Sequence, residues 1–333
     1  MNPRTERMQA WLAAELQGAS FSFAPASDDA SFRRYFRVEF GGGRDSLIVM
    51  DAPPDKEDCR PFVKVARLFA AAGAHVPDIV AENLQEGFLL LSDLGPHTYL
   101  SQLKPDNAGT LYREAIAALV AIQKASRPGV LPDYDRALLE RELNLFPDWY
   151  VARQHGVTLD AARAADLKAG FEVLLANNLA QPRVYVHRDY HSRNLMLSSP
   201  NPGILDFQDA VYGPITYDLV SLLRDAYIAW EEEQVLDWCI RYWEAARKAG
   251  LPVAADFADF YRDFEWMGAQ RQLKVLGIFA RLCYRDGKER YLADQPLVMK
   301  YLRKTCERYG ELAPLLRVLD AIEPPNKQTG YTF

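Results

Sequence analysis

Three short apolar runs break an otherwise helical stretch of this 333-residue chain: VYVH (184–187), LMLS (195–198) and GILDF (203–207). Each is too brief for a helix and is bounded by turn-forming residues, so each reads as a short strand opening into a loop. The loops concentrate polar chemistry. VHRDYHSRNLM (186–196) holds His187, Arg188, Asp189, His191 and Asn194 between apolar ends, and the last run carries Asp206. Asn194 follows Asp189 by five residues, and Asp206 follows Asn194 by twelve. The apolar runs before Asp189 and Asp206 argue against free solvated loops.

This spacing has a physical use. A loop leaving one strand can offer a carboxylate that accepts a hydroxyl proton, and the same loop brings back an amide oxygen. A neighbouring strand then delivers a second carboxylate. Asn194 and Asp206 would present oxygen ligands of the kind Mg²⁺ prefers, while Asp189 stays off the metal to orient an attacking oxygen. Phosphoryl transfer asks little more of a protein than positioning and charge neutralisation. The bland alternative is a set of polar residues in two surface loops.

Before these runs the chain is sheet-like. Phe21 and Phe23 alternate with small polar residues, SFRRYFRVEF (31–40) alternates, GGGRDS is a hairpin turn, and LIVMDA (47–52) is a strand ended by two prolines. Residues 56–72 have helical period, and VPDIVAEN and FLLLSDLG give two further strands. From about residue 98 the segments 107–125, 136–153 and 159–180 are helical by period, and the chain after Pro214 is helical nearly to Pro324. The expected architecture is α+β and two-lobed, with a small antiparallel sheet lobe over 1–94, hinged at about 89–95, and a larger helical lobe over 95–333.

Composition limits the function classes. A net charge of −6 is the wrong sign for a non-specific nucleic-acid binder. Cys59, Cys239, Cys283 and Cys306 are far apart, which suggests neither a zinc site nor a disulfide framework and fits a reducing cytosol. MNPRTERMQAWLAAELQG reads as an amphipathic helix with internal charges rather than a signal peptide, and no run approaches the roughly 18 apolar residues needed to cross a bilayer. A soluble cytoplasmic protein is expected.

H-R-D-x-x-x-x-N matches 187–194 at every defined position, and LDFQ stands where protein kinases carry D-F-G. With these motifs in this order, the chain resembles the aminoglycoside phosphotransferase and choline kinase group, the small-molecule relatives of protein kinases, over nearly its whole length. DASFRRYFRV (29–38), VHRDYHSRNLM and LDFQDAVYGPITYDL (205–219) further resemble the anomeric kinases of N-acetylmuramate and N-acetylglucosamine in bacterial cell-wall recycling. The resemblance implies a protein-kinase-like fold, ATP and Mg²⁺ as cofactors, Asp189 as catalytic base, and Asn194 and Asp206 as metal ligands. It implies that Asp218 braces the catalytic loop, which a helix-start aspartate favoured by the helix dipole would also explain. His187 is read as structural. His191 either touches a sugar hydroxyl or faces solvent.

Two parts of the pattern are missing. The phosphate loop, SDDASFRR, has no glycine to let backbone N–H groups approach closely. Ser31, Phe32 and Arg33 are the nucleotide candidates there, although Arg33 and Arg34 could equally be a solvated strand edge. The third strand offers Met50 and Asp51 where kinases place a lysine. Either Arg33, Arg34, Lys56 or Lys64 compensates, or metal and backbone hold the nucleotide; compensation is the expectation, and a nucleotide-binding pseudokinase is the non-enzyme alternative. The resemblance implies that backbone groups near Ser92, Asp93 and Leu94 meet the adenine edge, although an ordinary strand end fits the sequence equally well. In the late helix EWMGAQRQLKVLGIFARL (265–282), Arg271 and Lys274 are three apart and share a face. Arg271 could hold the carboxylate of a sugar acid or bridge the core. An acceptor such as an aminoglycoside or choline would instead need acids and aromatics, which DWYVARQ and AWEEEQ supply.

Overall fold

A computed structural model describes residues 3–27 and 32–324. In chain order the elements are α1 (Pro3–Glu15), β1 (Phe21–Ser27), β2 (Arg34–Phe40), β3 (Leu47–Asp51), α2 (Arg60–Ala71), β4 (Ile79–Asn83), β5 (Phe88–Ser92), α3 (Tyr99–Gln102), α4 (Ala108–Lys124), α5 (Arg136–Leu143), a π-helix (Phe146–Gln154), α6 (Ala161–Ala180) and β6 (Arg183–Val186). Then come β7 (Leu195–Met196), β8 (Gly203–Ile204), β9 (Val211–Pro214), α7 (Tyr217–Leu223), α8 (Glu232–Lys248), α9 (Phe257–Tyr284), α10 (Gln295–Arg308) and α11 (Ala313–Ile322). They form two compact units, Met1–Ile122 with Arg193–Ala210, and Gln123–Ser192 with Val211–Phe333. The first unit therefore runs past the 94/95 boundary read from the sequence, through α3 and most of α4, and takes back 193–210.

In the first unit a five-stranded sheet has the order β1-β2-β3-β5-β4, with every neighbouring pair antiparallel. The β2–β3 hairpin closes through Gly42 and Gly43, both at φ +79°, a left-handed conformation that costs glycine little. Met8, Leu12 and Leu16 from the first helix and the turn after it pack on Val38, Val49, Phe88 and Leu90, so the alternation of the strands puts one sheet face under α1. α2 buries Phe62, Val65, Ala66 and Phe69 at helical spacing. The returning segment is knitted to this unit by backbone: Leu197 N–H donates to His97 O (2.8 Å) and Ile204 N–H to His75 O (2.8 Å). Phe207 sits among aromatic rings of α2, 4.8 Å from Phe62 and 6.0 Å from Phe69.

The second unit is organised by α9, a 28-residue helix buried almost all round, including Glu265, Gln270, Arg271, Gln272 and Lys274. The π-helix, α6, α7 and α10 pack on it, and α11 packs on α6. β6 and β9 pair antiparallel from Arg183↔Pro214 to Val186↔Val211.

Two local features differ from the sequence reading. The stretch 136–153 was expected as one helix, but α5 ends at Leu143 and the chain resumes as a π-helix. Pro147 has no N–H to continue the ladder, and its ring crowds the carbonyl four residues back. α9 also comes close there, since a Cβ on Gly277 would lie 2.4 Å from the Leu145 backbone. β9 was not expected as a strand because Gly213 and Pro214 are turn residues. Gly213 is there for space: a Cβ would meet the Tyr134 side chain at 2.6 Å. No helix among the described residues is long and apolar enough to cross a membrane.

Candidate active site

In the second unit, β6 delivers the loop His187–Ser192 and side chains of other elements clamp its backbone. Asp218, at the start of α7, accepts from His187 N–H (2.6 Å) and Arg188 N–H (3.0 Å). Asp189 N–H donates to His187 Nδ1 (3.2 Å), and the buried His187 ring packs on Tyr190. Asp225 accepts from Ser192 N–H (2.9 Å) and Tyr227 N–H (3.0 Å), which fixes the far end. Arg188 is held at φ +79°. A non-glycine residue in this region costs about 1–3 kcal/mol, and such strain gathers at functional sites.

The Asp189 carboxylate sits in a cationic setting. Burial alone would raise its pKa, but the charges of Lys274, His191, Arg271 and Arg188 outweigh it and hold Asp189 down at about 2. Asp218 goes the other way. Burial pushes it up to about 7, with the like charge of Asp189 adding to the rise and the two backbone N–H bonds opposing it. Beneath the loop, buried Glu142 on α5 accepts from Arg188 Nη2 (2.5 Å), from Gln270 Nε2 (3.3 Å) and from the Tyr134 hydroxyl, and pairs with Lys274 Nζ (3.1 Å). Lys274 Nζ also donates to Tyr217 OH (2.8 Å). Arg271 is 6% exposed, its guanidinium lies 6.0 Å from the Tyr217 ring centroid, and its Nε is buried without a hydrogen-bond partner among the described residues. His191 stands edge-on to Tyr227 at 5.5 Å.

In the first unit, the β7–β8 pair brings Asn194 and Asp206 together. Leu205 N–H donates to Asn194 O (2.9 Å), and Asn194 Nδ2 reaches Asp206 Oδ2 (3.3 Å). Gln208 Nε2 donates to Asp206 Oδ1 (2.7 Å). Asp206 has φ +63°, so among the described residues two of the three left-handed non-glycine positions, Gln17, Arg188 and Asp206, belong to the candidate catalytic segments. A carboxylate and an adjacent amide, which can turn its oxygen toward the same point, form a donor set that fits a hard, oxygen-preferring cation such as Mg²⁺.

The nucleotide candidates separate. Ser31 lies outside the described residues. Phe32 is 65% exposed, with Lys56 Nζ 6.0 Å from its ring. Arg33 pairs with Glu57 (3.4 Å). Arg34 is committed to Asp51, which is fully buried at the end of β3 and also receives Arg4 Nε (2.7 Å). The place where a lysine was missed therefore holds a buried carboxylate clamped by two arginines. Ser92 is engaged with Asp78: its N–H donates to Asp78 O (2.9 Å), and its Oγ accepts from Asp78 N–H (2.8 Å). Both oxygens of Asp93 are taken, by Arg37 (2.5 and 3.1 Å), Ser46 Oγ (2.7 Å) and Gly95 N–H (2.9 Å). Its side chain thus pins the end of the sheet. Leu94 is buried against Gly203, where a Cβ would come within 2.9 Å of its Cδ1. Sequence reasoning missed Glu142, Asp225 and Glu57. Each is an acid with no local signal; burial sets Glu142 and Asp225 apart, and the Arg33 contact sets Glu57 apart.

Residues 22–272 match the pattern of the phosphotransferase enzyme family. The chain is 56% identical over 298 residues to the N-acetylmuramate/N-acetylglucosamine kinase of Pseudomonas aeruginosa, covering 90% of this chain and 88% of that one. It is 50% identical over 335 residues to the protein of the same name from Neisseria meningitidis serogroup B, covering 99% of each. A crystal structure of a choline/ethanolamine kinase family protein from Mesorhizobium loti superposes with a TM-score of 0.64, covering 96% of this chain and 99% of that one; at 16% identity it speaks to fold alone. A family pattern that spans most of the sequence, and relatives matched nearly end to end, place the chain in the phosphotransferase enzyme family.

Proposed function

We propose that the chain is an ATP- and Mg²⁺-dependent kinase that phosphorylates the anomeric hydroxyl of N-acetylmuramate and N-acetylglucosamine, giving the 1-phosphates, in the recycling of cell-wall sugars. The observation that carries this reading is 50% identity over 99% of both chains to a relative whose name contains both sugars. Asp189 orients the anomeric hydroxyl. The sugar oxygen bonds to the γ-phosphorus, the bond to the bridging oxygen breaks, ADP leaves, and the proton passes to the Asp189 carboxylate. A carboxylate held near pKa 2 is a weak base. A loose transition state asks for little proton transfer, so orientation carries most of the Asp189 contribution. Asn194 and Asp206 would hold Mg²⁺, which when bound neutralises phosphate charge.

The charges around Asp189 favour this acceptor over a cationic one. Arg188, Arg271 and Lys274 would repel a choline-like or aminoglycoside cation. Glu232 in AWEEEQ, one of the acids that could serve such an acceptor, is taken by Lys304 and Arg308. Only N-acetylmuramate carries a lactyl carboxylate, and Arg271 has a buried donor to offer it. Arg271→Ala is expected to raise KM for N-acetylmuramate about ten- to a hundred-fold, the worth of one charge-assisted hydrogen bond, with little change for N-acetylglucosamine. Equal changes for both sugars would remove Arg271 from that contact. Phosphorus NMR of the product tests the reaction itself: a 1-phosphate is expected, and a 6-phosphate would defeat the anomeric assignment.

Asp206→Asn should weaken Mg-ATP binding more than Asn194→Ala, because the carboxylate contributes formal charge to a divalent cation and the amide does not. Calorimetric titration compares the two, and wild-type affinity in the Asp206 variant would sink the metal assignment.

A further inference from the structure

We propose that Arg33, held in place by Glu57, supplies the cation for the nucleotide's β- and γ-phosphates that the third strand of this chain lacks, and that Glu57 is its positioning residue. The inference rests on the ATP-kinase reading above and concerns how the first unit holds ATP.

The other cations around the sheet are drawn onto acids or lie exposed. Arg4 and Arg34 are both drawn onto the buried Asp51 at the end of β3. Arg37 is drawn onto Asp93. Lys56 is an exposed side chain near Asp55, and Lys64 is exposed on α2. Arg33 differs from all of these. Its side chain is only 12% exposed, it stands next to the start of β2, and beside a hydrogen bond with the Tyr35 side chain it meets an acid that is itself 20% exposed, on the segment between β3 and α2. Its Nε and Nη2 both reach the same oxygen, Glu57 Oε2, at 3.4 Å. That is long for a charged pair, so the contact steers the guanidinium more than it neutralises it.

The steering has a direction. Burial opposes the Arg33 charge, but Tyr35, Glu57 and Asp206 together more than offset this and hold its pKa above the ordinary value. Arg33 thus feels the carboxylate proposed to carry the metal, within one unit of the protein. A guanidinium and a metal-holding carboxylate that act on each other suit a ligand carrying several negative oxygens. The planar fork of arginine binds two phosphate oxygens at once, which a lysine cannot do. In protein kinases the phosphate-holding lysine on the third strand is itself aligned by a glutamate. Here an arginine beside the second strand and a glutamate after the third would form the equivalent ion pair from different positions.

The test uses the intact protein, without sugar, and titrates ATP, ADP and AMP by calorimetry into wild type, Arg33→Ala, Arg33→Lys and Glu57→Gln, after matching their melting curves. Arg33→Ala should weaken ATP and ADP about ten- to a hundred-fold and AMP hardly at all, since AMP lacks the β- and γ-phosphates. Arg33→Lys should recover part of the loss. Glu57→Gln should weaken ATP in the same selective way, by a smaller factor, and raise KM for ATP without moving KM for the sugar. If AMP weakens as much as ATP, or if Glu57→Gln binds ATP like wild type, the inference is overturned while the kinase reading stands. A wild-type protein that binds no ATP would overturn the kinase reading itself. Unfolding of Arg33→Ala would leave Arg33→Lys and Glu57→Gln to decide.

Discussion

Asp189→Ala is expected to lower kcat by about 10²–10⁴-fold, the usual worth of a positioned base, while the fold and ATP binding stay close to wild type. The loop backbone has holds that do not involve the Asp189 carboxylate. Its backbone is held by Asp218 at His187 and Arg188 and by Asp225 at Ser192, and Asp189 itself is tied through its N–H to His187. The proposed metal ligands are other residues, so nucleotide affinity should be unaffected. Removing one negative charge from beside Arg188, Arg271 and Lys274 should also keep KM for an acidic sugar from rising. Loss of kcat with KM flat or falling separates a lost transition-state contact from damage to the pocket. Steady-state kinetics, ATP calorimetry and a melting curve check the three parts. More than a tenth of wild-type turnover in this variant would mean that Asp189 has another role. Asp189→Asn refines the mechanism: it keeps an acceptor for the sugar hydroxyl but cannot take the proton, so it should retain more turnover than alanine where orientation dominates.

What could be read in advance follows from the range of each signal. The segment 186–207 was legible because its strands, loops and motif spacings all lie within about twenty residues. β2 showed through side-chain alternation, and α2 through the spacing of Phe62, Val65, Ala66 and Phe69. Signals failed where the cause sits far away in the chain. Asp51 reads only as a missing lysine. Its reason for being there is Arg4, 47 residues earlier, and Arg34 on the neighbouring strand. Asp93 was read only for its backbone near the hinge, and nothing local announces that Arg37 and Ser46 take up both its side-chain oxygens. β9 was hidden because Gly213 and Pro214 look like a turn, and the contact that requires the glycine comes from Tyr134. Helical spacing put Arg271 and Lys274 on one face of α9, but it could not say that the face is buried beside Asp189, nor that Glu142 on α5 meets Lys274 there.

Glu142→Ala is expected to destabilise the protein by about 3–5 kcal/mol, the usual cost of removing one partner from a buried ion pair. Glu142 is 4% exposed and is the shared acceptor for Arg188, Lys274, Gln270 and Tyr134. Without it Lys274, which is 7% exposed, keeps only the Tyr217 hydroxyl, at 2.8 Å, as its hydrogen-bond partner among the described residues, and its charge loses its paired carboxylate. At about 2–4 °C per kcal/mol for a unit of this size, the melting temperature should fall by about 6–20 °C. Lys274→Met added to Glu142→Ala should cost less than the sum of the two single changes, with a coupling of about 0.5–3 kcal/mol, because it removes the charge left unpaired. The pH dependence carries a sign. Burial pushes the Glu142 carboxyl up, but Lys274 and Arg188 pull it further down, so its folded-state pKa lies below the ordinary value. A depressed carboxylate stabilises the fold above its unfolded pKa of about 4.3 and loses that contribution as pH falls below it. The stability gap between wild type and variant should therefore be full at neutral pH and narrow in acid. A gap below about 1 kcal/mol at neutral pH would mean that solvent reaches Lys274 and Arg188 well enough to replace the carboxylate. The cationic setting assigned to Asp189 would then be much weaker than these contacts indicate.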